Sequence, residues 1–133
     1  MFYTASLAIP ANTAKTAPVE ARVKLSAGYI THVTVVLRDE AEFLAHVQIH
    51  GSGGQIYPTN LDGDISTSVG RNEIVDQYQL TPGNTELVIR GWNTDDSYQH
   101  TAYVQFTVLP AALVEAGQAS LGILQRLQRL IFG

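Results

Sequence analysis

Histidine is the residue type in this chain best suited to hold a metal ion, because a neutral imidazole is a common metal ligand. The chain has four histidines, His32, His46, His50 and His100. His46 and His50 share one face of a predicted strand, but four strand residues separate them by about 13 Å, too far for one ion. A site would need His32 or His100 from a neighbouring strand. We therefore expect ordinary histidines on polar faces, with no metal site and no cofactor.

Residues 60–64 read NLDGD. This places oxygen-bearing side chains at alternate positions with a glycine for the bend, as in the first half of a calcium loop. An EF-hand loop also needs a glycine at its sixth position and a helix on each side, and this segment has neither. The sequence therefore favours a plain turn through Asp62 and Gly63.

An aromatic and polar cluster surrounds the predicted loop at residues 93–97. Its candidate ligand-contacting residues are Trp92, Asn93, Asp95 and Tyr98. An aromatic ring beside amides and carboxylates is a common way for a β-sandwich to hold a sugar. Alternatively, Trp92 packs against a loop or a neighbouring subunit, where its large area and single N–H suit a half-wet site. A carbohydrate-binding module that uses Trp92 and Tyr98 is therefore the alternative function that the sequence leaves open.

Known catalytic motifs are missing from the sequence. It contains no G-x-S-x-G, no H-E-x-x-H and no phosphate-binding P-loop. It has no cysteine, which excludes a disulfide framework, a thiolate metal site and a cysteine nucleophile. We therefore predict that the protein is not an enzyme.

The charge balance limits the classes of partner. The chain has 8 basic and 12 acidic residues, so it lacks the basic surface of a nucleic-acid binder. It also has no apolar run near the ~18 residues that span a bilayer. We expect neither a nucleic-acid nor a membrane partner. Charged residues make up only 15% of the chain and apolar residues 45%, which favours surfaces that are buried in interfaces.

Apolar and polar residues alternate along most of the chain and predict about eight strands, spaced as in a sandwich or barrel. Residues 86–109 contain two strand-like runs joined by a polar loop, and they predict the central hairpin of a β-sandwich. In the second run Val104 and Phe106 fall on the buried face and Gln105 on the wet face. Residues 81–84, TPGN, predict a type II turn. Residues 11–18, ANTAKTAP, are typical of a loop or of an extended arm over a neighbour.

The pattern changes after Pro110, and it divides the chain into a β-sandwich domain, 1–110, and a C-terminal helical extension, 111–133. Apolar residues of the extension recur at three- and four-residue steps, which predicts an amphipathic helix. Its apolar surface is larger than one face can hide, so we predict an association element. The predicted interface residues are Leu113, Leu121, Leu124, Leu127 and Ile131. The sequence leaves open whether the helix packs on its own sandwich or on another chain.

Four segments carry a resemblance to a known group of proteins. They are IPANTAKTAPVE, YITHVTVVL, AHVQIHGSGGQIYPTNLDGDIS and ELVIRGWNTDDSYQHTAYVQFTVLP. Their order resembles small uncharacterised proteins encoded among the head and structural genes of tailed bacteriophages, over residues 2–110. The resemblance implies a component of the virion and no chemical role for any residue. An eight-stranded sandwich is also similar to the single jelly roll of viral capsid and decoration proteins.

The predicted fold class is all-β: a jelly-roll-like antiparallel β-sandwich of about eight strands with a C-terminal amphipathic α-helix. The predicted function is that of a non-enzymatic virion structural protein, a capsid-associated, decoration or minor capsid protein. We expect it to form a symmetric homo-oligomer and to bind capsid or other virion proteins.

Overall fold

The computed structural model describes residues 1–38, 41, 43–66 and 70–132, and it describes side chains as far as Leu130. The side chain of Ile131, a predicted interface residue, and all of Gly133 lie outside the described residues. Within these ranges the chain forms eight strands and one helix. In chain order they are β1 (Phe2–Ile9), β2 (Val19–Lys24), β3 (Gly28–Leu37), β4 (Ala45–Gly51), β5 (Gly54–Tyr57), β6 (Arg71–Leu80), β7 (Glu86–Asn93), β8 (His100–Leu109) and α1 (Ala111–Phe132).

The strands form two four-stranded sheets, with the orders β1-β8-β3-β6 and β2-β7-β4-β5. Strand β1 pairs with β8, β2 with β7, β3 with β6 and β4 with β5, all antiparallel. The chain is therefore one long hairpin of four nested pairs. The further pairs β3·β8 and β4·β7 roll that hairpin into two sheets, which is the topology of a jelly roll. The predicted antiparallel sandwich of eight strands with a C-terminal helix is confirmed.

The core lies between the two sheets and is built from alternate residues of each strand. In β8 the side chain of Phe106 is 0% exposed and that of Val104 is 1% exposed. Gln105, between them, points to solvent. The predicted phase of this strand is confirmed, and it follows from the period of two that the pleat imposes on side chains.

The predicted hairpin within residues 86–109 is wrong. Strand β7 lies between β2 and β4 in one sheet, whereas β8 lies between β1 and β3 in the other. The loop at residues 94–99 crosses from one sheet to the other. Alternation along a strand reports which face is buried, but it carries no information about which strand lies alongside.

The turn between β6 and β7 has the local structure that its residues favour. In the turn at residues 81–84 the N–H of Asn84 donates to the carbonyl oxygen of Thr81 at 2.9 Å. Gly83 has a φ of 90°, which is the left-handed conformation that the third residue of a type II turn needs. The predicted turn is confirmed.

The segment between β1 and β2 lies against its own sandwich. The N–H of Asn12 donates to the carbonyl oxygen of Asp95 at 2.9 Å, and the N–H of Asn93 donates to that of Thr13 at 2.9 Å. Of the two predictions for this segment, the structure has the loop rather than an arm extended over a neighbour.

Candidate functional site

The outer face of the β2-β7-β4-β5 sheet is charged. Arg22 forms an ion pair with Glu86 at 2.9 Å, and Arg90 forms one with Glu20 at 2.8 Å. All four side chains are at least 38% exposed. Exposed pairs of this kind contribute little to stability, but they make this face well solvated. This outer face is called the charged face below.

The outer face of the β1-β8-β3-β6 sheet differs in composition. Strands β1, β3 and β8 contain no Asp, Glu, Lys or Arg, and the charged Arg71 and Glu73 are on the edge strand β6. Phe2 is 79% exposed and Tyr103 is 42% exposed. Cores of protein–protein interfaces are depleted in charge and enriched in aromatic residues. The part of this outer face on β1, β3 and β8, called the uncharged face below, therefore has the composition of an interface.

Helix α1 contacts the sandwich through its small and polar side. It starts directly after β8 and passes over β3, and the amide of Gln118 donates to the side-chain oxygen of Gln77 on β6 at 2.9 Å. Ala111 and Val114 are partly buried. At about 100° per residue, Ala111, Val114 and Gln118 lie on one side of the helix. That side faces the sheet.

The apolar side of α1 points away from the sandwich. Of the predicted interface residues, Leu113 is 60% exposed, Leu121 61%, Leu124 56% and Leu127 47%. By the same helical geometry, Leu127 lies opposite Gln118 and Leu124 lies about 120° from it, whereas Leu121 lies on the side of Val114. The sandwich of the same chain therefore leaves this apolar side uncovered. That these residues form an interface remains a prediction.

The ring of Trp92 is covered by neighbouring side chains and is only 5% exposed. The ring of His46 stacks on it, with centroids 5.4 Å apart and planes 10° apart. The Nζ of Lys15 lies over the ring, 5.3 Å from its centroid. A sugar has no free indole face to stack on unless Lys15 moves. Tyr98, by contrast, is 71% exposed, so the two residues of the predicted sugar site lie in different environments.

Asn93 holds the loop between β7 and β8 in place. Its side chain is buried, at 1% exposure, and its amide nitrogen donates to the carbonyl oxygens of Ile9 at 3.2 Å and Tyr98 at 2.9 Å. Its side-chain oxygen accepts from the N–H of Asp95 at 2.9 Å. Because its donors and its acceptor are engaged within the chain, Asn93 acts as part of the fold and not as a free ligand group.

Asp95 orders the same loop. Its carboxylate accepts from the backbone N–H groups of Ser97 at 2.9 Å and Tyr98 at 3.2 Å, and it pairs with His100 at 2.9 Å. The N–H of Ser97, and secondly the His100 ring, lower the pKa of Asp95 below its ordinary value of 3.8. A carboxylate held in this way is a loop-stabilising group.

The histidines have separate partners. His46 pairs with Asp64 at 2.8 Å, and His50 lies 3.0 Å from the side-chain oxygen of Gln48. Burial, and secondly the charge of Arg90, lower the pKa of His50. Among the described residues no three His, Asp or Glu side chains come together as metal ligands.

The segment proposed above as a plain turn has that structure. The N–H of Gly63 donates to the carbonyl oxygen of Asn60 at 2.9 Å, and Asp62 has a φ of 61°. Side chains of this kind tolerate the left-handed region because they are short and polar. The prediction of a turn is confirmed.

Tyr57 and Asp76 form a pair that no motif in the sequence marks as a site. The hydroxyl of Tyr57 donates to the carboxylate of Asp76 at 2.8 Å, and burial of the phenol, then this bond, raise the pKa of Tyr57. The pair borders a shallow depression beside Val75, which is 76% exposed. The feature of the sequence that could have revealed this pair is Asp76, because its carboxylate interrupts the apolar alternation of β6.

Comparisons with known proteins identify the fold. No family model and no curated protein sequence matches the chain. Among the helices of the described residues, none has the length and apolar content to cross a membrane. A chain of the cyanophage Pam1 capsid asymmetric unit is 21% identical, with a TM-score of 0.59 over 83% of this chain and 84% of that chain.

Two further solved structures match with lower scores. The Yersinia pseudotuberculosis-derived mitogen is 11% identical, with a TM-score of 0.42 over 82% of this chain and 86% of that one. The SPBc2 prophage-derived protein YomS is 8% identical, with a TM-score of 0.43 over 80% of this chain and 94% of that one. The likeness to the Pam1 chain shows the fold alone: the sandwich has the fold of a chain found in a cyanophage capsid.

Proposed function

We propose that this chain is a non-enzymatic structural protein of a phage virion, a decoration or minor capsid protein that associates with the shell. The likeness to a chain of the cyanophage Pam1 capsid asymmetric unit carries the proposal. The likeness extends over 83% of this chain and 84% of the other, so the two chains have nearly the same length. The resemblance of residues 2–110 to proteins encoded among phage head genes supports the same role.

The difference between the two outer faces supports a one-sided attachment. A protein bound to a shell needs one surface that is buried against the shell and one that stays exposed to water. The part of the uncharged face that α1 does not cover, around Tyr103 on β8, suits burial against the shell, because it removes no charged group of β1, β3 or β8 from water. The charged face, with its two exposed ion pairs, suits exposure to water. The partner of the uncharged face is accordingly a capsid or other virion protein.

The use of the titratable residues supports a role without catalysis. His46 is engaged with Asp64, and His100 with Asp95. Each pair joins a loop to a strand. A general base needs to reach a substrate, and the side chain of His100 is only 5% exposed and that of His46 19% exposed.

The proposal is tested on particles of the phage that encodes the chain. Purified virions should contain the protein, and it should remain with the particles through a density gradient. A shell reconstruction should show an eight-stranded sandwich with its uncharged face against the shell. Virions that lack the protein, while the infected cells contain it, would overturn the proposal.

Matched variants identify the face that binds. Tyr103→Asp puts a charge on the uncharged face, and Arg22→Asp changes a charge on the charged face. Both positions are exposed, so the fold should tolerate both. Tyr103→Asp should lower the copy number per particle by about tenfold or more, the cost expected when an unpaired charge is buried in an interface. Arg22→Asp should leave it unchanged. Equal occupancy for the two variants would contradict the assignment of the face.

A further inference from the structure

Helix α1 is oriented with its polar side toward its own sandwich. Its amide and charged residues avoid the apolar side and are Glu115, Gln118, Gln125, Arg126, Gln128 and Arg129. One of them, Gln118, makes the hydrogen bond to β6. A surface helix of a single domain normally turns its apolar side to the core. In this chain the reverse arrangement leaves the apolar side for another molecule.

The apolar side follows a seven-residue repeat. Three series of positions recur at intervals of seven, and apart from Ser120 they hold only apolar or glycine residues. The series are Leu113, Ser120 and Leu127; Gly117, Leu124 and Ile131; and Ala116, Ile123 and Leu130. In heptad terms these are the d, a and g positions. A strict a/d stripe is the seam of a two-stranded coiled coil, whereas three positions in seven is the width of a helix in a larger bundle.

The distal part of α1 continues past the edge of the sandwich. The helix starts at the end of β8, passes over β3 and reaches β6, which is the edge strand, at Gln118. The remaining 14 residues, 119–132, amount to about 20 Å of helix. A side chain added at Gly122 would meet no atom within 4 Å. An isolated helix of this length is marginal in water, so a partner is needed to stabilise it.

A second copy of the same helix fits this surface. In a parallel, in-register bundle each level of the repeat meets its own counterpart, so leucines meet leucines and the small Gly117 and Ser120 fall at matching heights. Arg126 and Arg129 are outside the three apolar series, so this arrangement keeps them apart at the bundle surface. Copies related by rotation about the axis of a parallel bundle form a closed ring, and closed symmetry is the usual form of homo-oligomers.

We propose that copies of this chain associate through α1 as a parallel bundle of three or more helices, with Leu124 and Leu127 at its centre. This bundle would be the contact of the symmetric homo-oligomer that the sequence predicts. Association through α1 is measured on the purified protein in solution, without virions. Failure to find the protein in virions and failure to find a bundle are therefore separate results.

The test compares the mass of the full-length protein with that of two variants, by light scattering over about a hundredfold range of concentration. Wild type should have at least three times the mass of one chain. The double variant Leu124→Glu/Leu127→Glu should be a monomer. The matched control Gln125→Glu adds the same group on the polar side and should keep the wild-type mass. Fluorescence of Trp92, the single tryptophan, whose ring is covered by His46 and Lys15, should be unchanged in both variants because the substituted residues lie on α1.

Cross-linking tests the parallel arrangement. The chain has no cysteine, so one introduced thiol is the only thiol present. Under mild oxidation Leu127→Cys should form a disulfide between copies at least about tenfold faster than Gln125→Cys, because like positions of the seam lie within disulfide reach. A monomeric wild type, or equal masses for Leu124→Glu/Leu127→Glu and Gln125→Glu, would overturn the bundle. With either result, the partner of α1 would be a different virion protein. Equal cross-linking rates in an oligomeric protein would overturn the parallel arrangement.

Discussion

Large apolar side chains are in opposite environments in the two parts of this molecule. In the sandwich, Leu87 is 1% exposed and Phe106 is 0% exposed. In α1, Leu124 is 56% exposed and Leu127 is 47% exposed. The same residue type therefore stabilises the fold in one region and remains available for association in the other. An apolar pattern in a sequence identifies a surface that needs cover, but it does not say whether the cover comes from the same chain.

The largest effect should come from the centre of the sandwich. Phe106→Ala should lower the free energy of unfolding by about 3 to 5 kcal/mol, through lost burial and the cavity left behind. Its neighbour Gln105 points to solvent, so Gln105→Ala should cost less than about 0.5 kcal/mol. Urea denaturation followed by Trp92 fluorescence measures both. Equal losses for the two variants would contradict the burial of this strand.

The same substitution in the two regions tests the comparison directly. Leu87→Ala should cost about 2 to 5 kcal/mol at every protein concentration. Leu124→Ala should leave the unfolding of the sandwich nearly unchanged, and its effect should be on oligomer mass. Melting curves recorded at several concentrations separate the two effects. A large loss of sandwich stability in Leu124→Ala, independent of concentration, would show that α1 is covered by its own chain.

A smaller effect is expected at the polar end of the sandwich. Asn93→Ala leaves the carbonyl oxygens of Ile9 and Tyr98 and the N–H of Asp95 without the partner they have now. Unsatisfied buried groups of this kind cost about 1 to 3 kcal/mol. The control is Asn84→Ala, at an exposed amide in a turn, which should cost a few tenths. Similar values for the two would place the Asn93 network in contact with water.

The smallest effect is the pH dependence that Asp95 contributes. Its pKa is lowered in the folded protein, so folding favours its carboxylate. The resulting stability is fully present above the ordinary value of 3.8 and is lost as the pH falls through the lowered value. Asp95→Asn should therefore melt below wild type at neutral pH, and the gap should narrow below about pH 4. A gap for Asp95→Asn that widens in acid would contradict the shift.

The strands were predictable because burial of one face is visible in adjacent residues. The phase of β8 around Phe106 and the turn at residues 81–84 follow from local chemistry alone. The strands that pair with β7 and β8 could not be predicted from local chemistry, because strand pairing depends on contacts between segments far apart in the chain. A polar loop of six residues joins strands of one sheet or of two equally well, so the hairpin was a natural but wrong inference.

The candidate surfaces were predictable only in part, for the same reason. The apolar positions of α1 are visible in the sequence, but the side of the helix that meets the sheet depends on how the chain leaves Pro110. The burial of Trp92 depends on Lys15 and His46, which come from other parts of the chain. The uncharged face becomes visible only when β1, β3 and β8 are known to be neighbours.

The four nested strand pairs imply an order of closure during folding. Strands β4 and β5 are neighbours in the chain, so their pairing costs the least chain entropy. Each pair that forms shortens the loop that the next one must close, and β1 meets β8 across almost the whole sandwich. We therefore expect the β4·β5 hairpin to form first and the β1·β8 pair last. Because α1 follows β8 directly, the helix takes its place on the sandwich only at the end of folding.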